Sequence, residues 1–157
     1  MVFGKPLSAY VRFQRGVLLI TLVVGVLRLA LSLASVPNAT VKWLSMTVVL
    51  LASTIYFGVR VHTSGFGRYK HILPLLVIQG ALVTVIVIAG LLISAATGEP
   101  NVFSAPEYGG TLSLGAHIGG HLVFGLVAGP LVGWAIGSLV MFVTKKVSGT
   151  RPAGAAA

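Results

Sequence analysis

Two histidines, His117 and His121, are the first candidates in this sequence for holding a bound group. Residues four apart share one face of an α-helix, so the pair can offer two imidazoles to one metal ion. Alternatively, one imidazole can bind the central metal of a tetrapyrrole such as haem or bacteriochlorophyll, where the glycines around it leave room for a flat ring. Both cannot be axial ligands of the same haem, because axial ligands approach from opposite faces. A purely structural pair, bonded across helices or lying in the wet interface, is the other interpretation.

Arg28 is the single charge well inside an apolar segment. It follows Arg15 by 13 residues, which places it about 20 Å along a helix that begins near the membrane surface. An arginine at such depth costs about 2.5 to 3.5 kcal/mol on insertion scales, so its presence suggests a use. We expect either contact with an anionic group, such as a lipid phosphate, a propionate or a partner's carboxylate, or snorkelling of the side chain to the headgroups.

Glycines recur at every fourth position in the last apolar segment, at Gly125, Gly129, Gly133 and Gly137. Small residues let helix backbones approach closely in lipid, where association depends on van der Waals contact. The row therefore predicts a packing face, directed either at other helices of this chain or at a partner. Pro130 lies within the row and should kink the helix, because it lacks an N–H and its ring collides with the carbonyl of the preceding turn.

Catalytic chemistry has almost no candidates in the sequence. Cysteine is absent, which excludes thiolate catalysis and Cys-ligated metals. The common metalloprotease, hydrolase and phosphate-loop motifs are absent as well, and no Asp or Glu lies inside an apolar segment. The net charge of +9 does not indicate a nucleic-acid partner, because the basic residues lie at the ends of apolar runs rather than along one polar face. We therefore expect a protein that is not an enzyme.

The elements that must position these residues are membrane-spanning helices. Hydrophobic residues make up 56% of the chain and charged residues 8%, against about 25% charged in soluble domains. Four apolar runs predict an all-α bundle with helices at about 7–35, 41–61, 72–96 and 112–145, in one domain (1–147) with a flexible tail at 148–157. Thr40 is the predicted N-cap of the second helix, Pro74 fits the first turn of the third, and Gly98 should end it.

The distribution of basic residues predicts the orientation in the membrane. Nine lysines and arginines lie at the two termini and in or just before the 62–70 loop, with Arg60 as the one that precedes it, whereas Lys42 is alone on the opposite side. By the positive-inside rule both termini and that loop are cytoplasmic, and the acidic loop, with Glu99 and Glu107, faces outward. His121 precedes Lys145 by 24 residues, about 36 Å of helix, so the histidine pair should lie near the outer boundary. A bacterial inner membrane is the expected location.

Three hypotheses about function follow from these features. The first is a non-catalytic accessory subunit of a larger membrane complex, which docks other subunits or a second copy through the glycine row and the acidic loop. The second is a tetrapyrrole- or metal-binding subunit of an electron-transfer or photosynthetic complex, with His117 or His121 as ligand and Arg28 near an anionic group. The third is a small transporter, which is weakened by the lack of intramembrane acids and of an internal repeat.

Overall fold

The computed structural model describes residues 1–106 and 109–148, which form helices and turns with one isolated β-bridge near the amino terminus. Four helical segments are long and apolar enough to cross a membrane: Arg15–Leu33, Asn38–Thr63, Tyr69–Thr97 and Leu114–Ser148. The prediction of an all-helical chain with four spans is confirmed. The orientation in the membrane stays a prediction, and the predicted tail lies outside the described residues except for Ser148, which is helical.

The prediction of one continuous helix over 7–35 is wrong. The chain forms two helices there, α1 (Leu7–Phe13) and α2 (Arg15–Leu33). The break is at Gln14, with φ −106° and ψ 13°. It lets α1 fold onto the connection that follows the second span, where the Phe13 and Phe66 rings stack 4.0 Å apart. The Tyr10 hydroxyl donates to the Val2 carbonyl at 2.9 Å, and burial raises the pKa of this phenol, which keeps it a donor.

The second predicted helix, 41–61, is displaced. The chain first forms a single turn, α3 (Asn38–Val41), and then α4 (Met46–Thr63). Ser45, and not Thr40, is the N-cap of α4, since its hydroxyl accepts from the Val48 amide at 3.4 Å. The predicted cap at Thr40 is wrong because that residue lies inside α3.

The third predicted helix is confirmed as α5 (Ile72–Thr97), preceded by a 3₁₀ turn, Tyr69–His71. Pro74 lies in its first turn, and Gly98 ends it with φ +76°, a conformation that glycine adopts without strain. This helix contacts α2, α4 and α7, and a larger share of its residues is buried than in the other three spans. It is the centre of the packed helices.

The fourth predicted helix, 112–145, is divided into α6 (Leu114–Val123) and α7 (Gly129–Ser148) by a π turn, Phe124–Ala128. In this turn the Gly129 amide bonds to the Phe124 carbonyl, one residue farther back than in an α-helix. The wider turn lies immediately before Pro130, where the sequence predicted a kink. Such a turn accommodates Pro130, which has no N–H to continue the hydrogen bonding of the α-helix.

The connections lie at two ends of the packed helices, which we call the basic end and the loop end. The basic end holds the amino terminus, the 64–68 connection and Lys145, whose ammonium lies 4.1 Å from the Tyr69 ring centre. The loop end holds the 34–45 and 98–113 connections. Large apolar side chains on the outward faces, such as Leu19 and Ile20 of α2, are more than half exposed, as expected where lipid is the solvent.

Candidate ligand-binding cavity

The two histidines stack on each other but face different surroundings. Their ring centroids are 5.0 Å apart with an interplanar angle of 28°. His117 is 5% exposed and lies beneath Gly109, and its buried Nε2 has no hydrogen-bond partner among the described residues. His121 instead lines a cavity between the helices. Within 1–106 and 109–148 no group of three metal-ligating side chains is brought together, so the pair is not joined by a third ligand there.

The cavity has a volume of about 480 Å³ and lies between α4, α5 and the α6–α7 segment. It extends from the loop end, at Lys42, to Thr54, Leu76 and Gly133 near the middle of the spans. Its walls are mostly aliphatic and aromatic; they include Leu50, Val83, Val87, Phe124 and Ile136. In the part of the chain that the structure describes, no carboxylate lines the cavity, and the charged side chains that do are Arg28 and Lys42.

The glycine row has its close contacts within this chain. A Cβ on Gly125 would collide with the Thr84 hydroxyl of α5, and one on Gly133 would lie 3.1 Å from Leu76. A Cβ on Gly137 would lie 3.1 Å from Ile72 and 3.3 Å from the Thr54 carbonyl.

Gly129 differs from the other three members of the row. Its nearest neighbour is the Phe124 carbonyl of its own π turn, at 2.8 Å from a built Cβ. Three of the four glycines therefore face α4 and α5, and the fourth accommodates the turn.

Arg28 lies on the loop-end rim of the cavity, at 7% exposure. Its guanidinium donates to the Val41 carbonyl at the end of α3 and to the Asn38 side-chain oxygen. Both acceptors belong to the 34–45 connection, so Arg28 joins this connection to α2. Lys42 lies on the same rim, and its ammonium is 5.3 Å from the Trp43 ring centre. Two cations therefore border the mouth of an apolar cavity.

A smaller pocket of about 200 Å³ lies on the other side of Arg28. Its lining is more polar and includes Ser32, Asn38 and Asn101. The sequence offered no sign of this pocket, because its residues come from α2, α3 and the 98–113 connection. Arg28 is the charged side chain that both cavities share.

The described part of the 98–113 connection folds back onto the helices. Asn101 donates to the Gly90 carbonyl at 2.6 Å, and the Val102 amide donates to the Ser32 hydroxyl at 2.7 Å. Phe103 packs so closely on α5 that a Cβ on Gly90 would lie 2.5 Å from its ring. The sequence predicted docking through this loop and not these contacts, although Val102 and Phe103, two apolar residues in a polar loop, are a signal of burial. Glu99 is exposed, and Glu107 lies outside the described residues.

Three helices are linked by a buried amide that was not predicted from the sequence. Gln79 of α5 accepts from the Ser53 hydroxyl of α4 at 2.7 Å and donates to the Thr21 hydroxyl of α2 at 3.1 Å. A lone glutamine in the apolar run of α5 was the available signal. Membrane-buried polar side chains usually find partners on neighbouring helices.

Comparison of the chain with known protein families, with characterised proteins and with solved structures finds no match. The class of protein is therefore defined by its helices alone. Four spans of sufficient length and hydropathy indicate a multi-pass membrane protein in a lipid bilayer.

Proposed function

We propose that this protein is a non-catalytic membrane protein that binds an amphiphilic molecule in the cavity between α4, α5 and α7. The observation that carries the proposal is the cavity itself, about 480 Å³ in volume, with apolar walls and two cations at its mouth. Small-molecule pockets in proteins are about 300 to 1,000 Å³, mostly apolar, with a few polar groups that orient the ligand.

The apolar walls of the cavity favour an apolar occupant over water. The cavity is partly open at the surface of the protein, so a molecule of the surrounding bilayer can enter it. Water in it would find few polar partners. A molecule with an apolar body and a charged or polar end satisfies both the walls and the rim of this cavity.

The polar groups on the cavity wall favour binding over catalysis. The Thr54 hydroxyl donates to the Leu50 carbonyl at 2.8 Å, and the Thr84 hydroxyl donates weakly to the His121 carbonyl at 3.5 Å. These hydroxyls are engaged with backbone, and neither contacts a base that would activate it as a nucleophile. General acid–base catalysis commonly uses carboxylates, and none of the described residues supplies one to the lining.

The experiment compares two phenylalanine substitutions on one helix. Val83 lines the cavity, whereas Val85, on the same helix, is 65% exposed. Val83→Phe should reduce the amount of amphiphile retained after mild detergent extraction, measured by native mass spectrometry, because the added ring occupies the cavity. Val85→Phe should retain as much as wild type. Wild-type protein that retains no amphiphile would refute the proposal.

A tetrapyrrole is the second candidate ligand, because His121 lines the cavity that Arg28 and Lys42 border. One imidazole could bind the central metal, and the cations could pair with carboxylates at the ring edge. The measurement is visible absorption of the purified protein, with His121→Ala expected to remove the chromophore. His117→Ala should change it only mildly, since His117 lies beneath Gly109 and acts through its neighbour. A colourless wild-type preparation would reject this candidate.

An accessory role in a larger membrane assembly remains part of the proposal in a changed form. Since Gly125, Gly133 and Gly137 contact helices of this chain, a partner would meet outward faces such as that of α2, where Val23 is 53% exposed. A photo-crosslinker at Val23 tests this in native membranes. One product of fixed stoichiometry supports a specific neighbour, and lipid adducts alone count against it. A crosslinker at Val85, exposed on α5, is the comparison site.

A further inference from the structure

Arg28 separates two cavities of different character. On one side lies the apolar cavity of about 480 Å³, and on the other the polar pocket of about 200 Å³. The guanidinium is buried between them and is attached to the 34–45 connection through Val41 and Asn38. A ligand with one polar and one apolar part could therefore be bound on both sides of a single charge.

We propose that the ligand is an anionic phospholipid from the leaflet at the loop end, with its phosphate at Arg28 and Lys42 and an acyl chain in the apolar cavity. This inference rests on the proposed function and names the class of molecule that fills the cavity. Charge complementarity carries it, because both cations border the mouth and, among residues 1–106 and 109–148, no carboxylate lines either cavity.

The donors needed for a phosphate are present around Arg28. A guanidinium has five N–H groups, and the bonds to Val41 and Asn38 engage only part of them. Ser32 accepts from the Val102 amide at 2.7 Å, which leaves its own hydroxyl hydrogen for a ligand. Arginine pairs with phosphate through parallel N–H bonds, and such charge-assisted bonds are about twice as strong as neutral ones.

The depth of the apolar cavity suits a hydrocarbon chain. Along α4 its wall extends from Met46 to Thr54, which corresponds to about 12 Å of helix. At the mouth, Trp43 is 82% exposed beside Lys42, and exposed tryptophans are typical of the headgroup level of a membrane. The cations are thus at the level of lipid phosphates, and the cavity extends inward from them.

The experiment measures lipid preference in vesicles and requires no identified native ligand. The protein is reconstituted in equimolar phosphatidylglycerol and phosphatidylcholine, and the lipid retained by the extracted protein is identified by native mass spectrometry. We expect wild type to retain one phosphatidylglycerol with a preference of about tenfold. Both lipids carry a phosphate, but the quaternary ammonium of phosphatidylcholine should be repelled by the two cations at the mouth. Lys42→Gln should bring the ratio of retained phosphatidylglycerol to phosphatidylcholine close to one.

Arg28→Gln should also abolish the preference, but it removes the contacts with the 34–45 connection and can destabilise the fold. Lys42→Gln keeps the proposal falsifiable, because Lys42 is exposed and holds no other element. Arg60→Gln, an equal change of charge at the exposed basic end, is the matched control and should leave the preference unchanged.

The outcomes distinguish this inference from the proposed function. Retention of both lipids without preference, in wild type, would overturn the anionic phospholipid as the ligand and leave the cavity as a general lipid-binding site. Retention of no amphiphile in any vesicle would overturn both. A co-purified pigment that excludes phospholipid would overturn the phospholipid in favour of the tetrapyrrole.

Discussion

Gly58 of α4 lies against the backbone carbonyl oxygen of Gly137 in α7, so closely that a Cβ at position 58 would lie 2.6 Å from that oxygen. A separation this short is incompatible with a side chain unless one helix moves. The two helices make the most extensive contact in the protein. The first prediction tests whether this approach stabilises the fold.

Gly58→Ala should destabilise the protein by about 1 to 3 kcal/mol, the usual cost of overpacking, because a carbonyl cannot move aside as a flexible side chain can. Unfolding in mixed micelles with increasing denaturing detergent measures the change. Gly120→Ala is the control, since nothing lies within 4 Å of a Cβ there. It should stabilise α6 by about 0.5 to 1 kcal/mol through helix propensity. Destabilisation of equal size at both positions would contradict a special contact at Gly58.

The polar link through Gln79 gives the second prediction. Ser53→Ala removes the hydroxyl that donates to Gln79 and should lower the free energy of unfolding by about 0.6 kcal/mol, the average for hydrogen bonds between membrane helices. Thr144→Val is the control, because its hydroxyl bonds only to the Val140 carbonyl of its own helix. Gln79→Leu should cost more than Ser53→Ala, since it also removes the bond to Thr21. A cost at Thr144 as large as that at Ser53 would remove the evidence for a link between helices.

The contacts of the 98–113 connection give the third prediction. Phe103→Ala should destabilise the loop end by about 3 kcal/mol, because it empties the space against Gly90 and widens the adjoining cavity. The rate of amide hydrogen exchange in residues 98–106 should rise in the same variant. Leu112→Ala, 56% exposed in the same connection, should change neither quantity. Unchanged exchange in the Phe103 variant would mean that the loop is held by its hydrogen bonds alone.

The orientation in the membrane is the fourth prediction. The protein has no native cysteine, so single cysteines report their own side without background. Ser64→Cys, in the exposed connection of the basic end, should be protected from an impermeant thiol reagent in intact cells and react after permeabilisation. Glu99→Cys, exposed at the loop end, should react in intact cells. The opposite pattern would invert the topology and place Arg28 and Lys42 in the cytoplasmic leaflet.

The four spans and the ends of α5 could be predicted from the sequence, because each depends on a local property. Hydropathy over about 20 residues decides whether a helix can cross a bilayer. Pro74 and Gly98 act through their own backbone geometry, wherever the rest of the chain lies. The predictions of helix ends failed where contacts with distant residues decide them. The first helix breaks at Gln14, and its first part packs on Phe66. The start of α4 is delayed to Ser45, because the preceding turn α3 is bonded to Arg28.

The candidate site depended on the tertiary structure almost completely. The spacing of His117 and His121 predicted that they share a face, and hydropathy predicted that Arg28 lies within a span. Neither property reveals which residues of other helices lie opposite these side chains. Only the packing of α5 against α7 decides that His121 borders a cavity while His117 lies beneath Gly109. Only the position of the 34–45 connection brings Lys42 beside Arg28. The residues that line a cavity come from segments far apart in the chain, so no periodic pattern in the sequence indicates that they will meet.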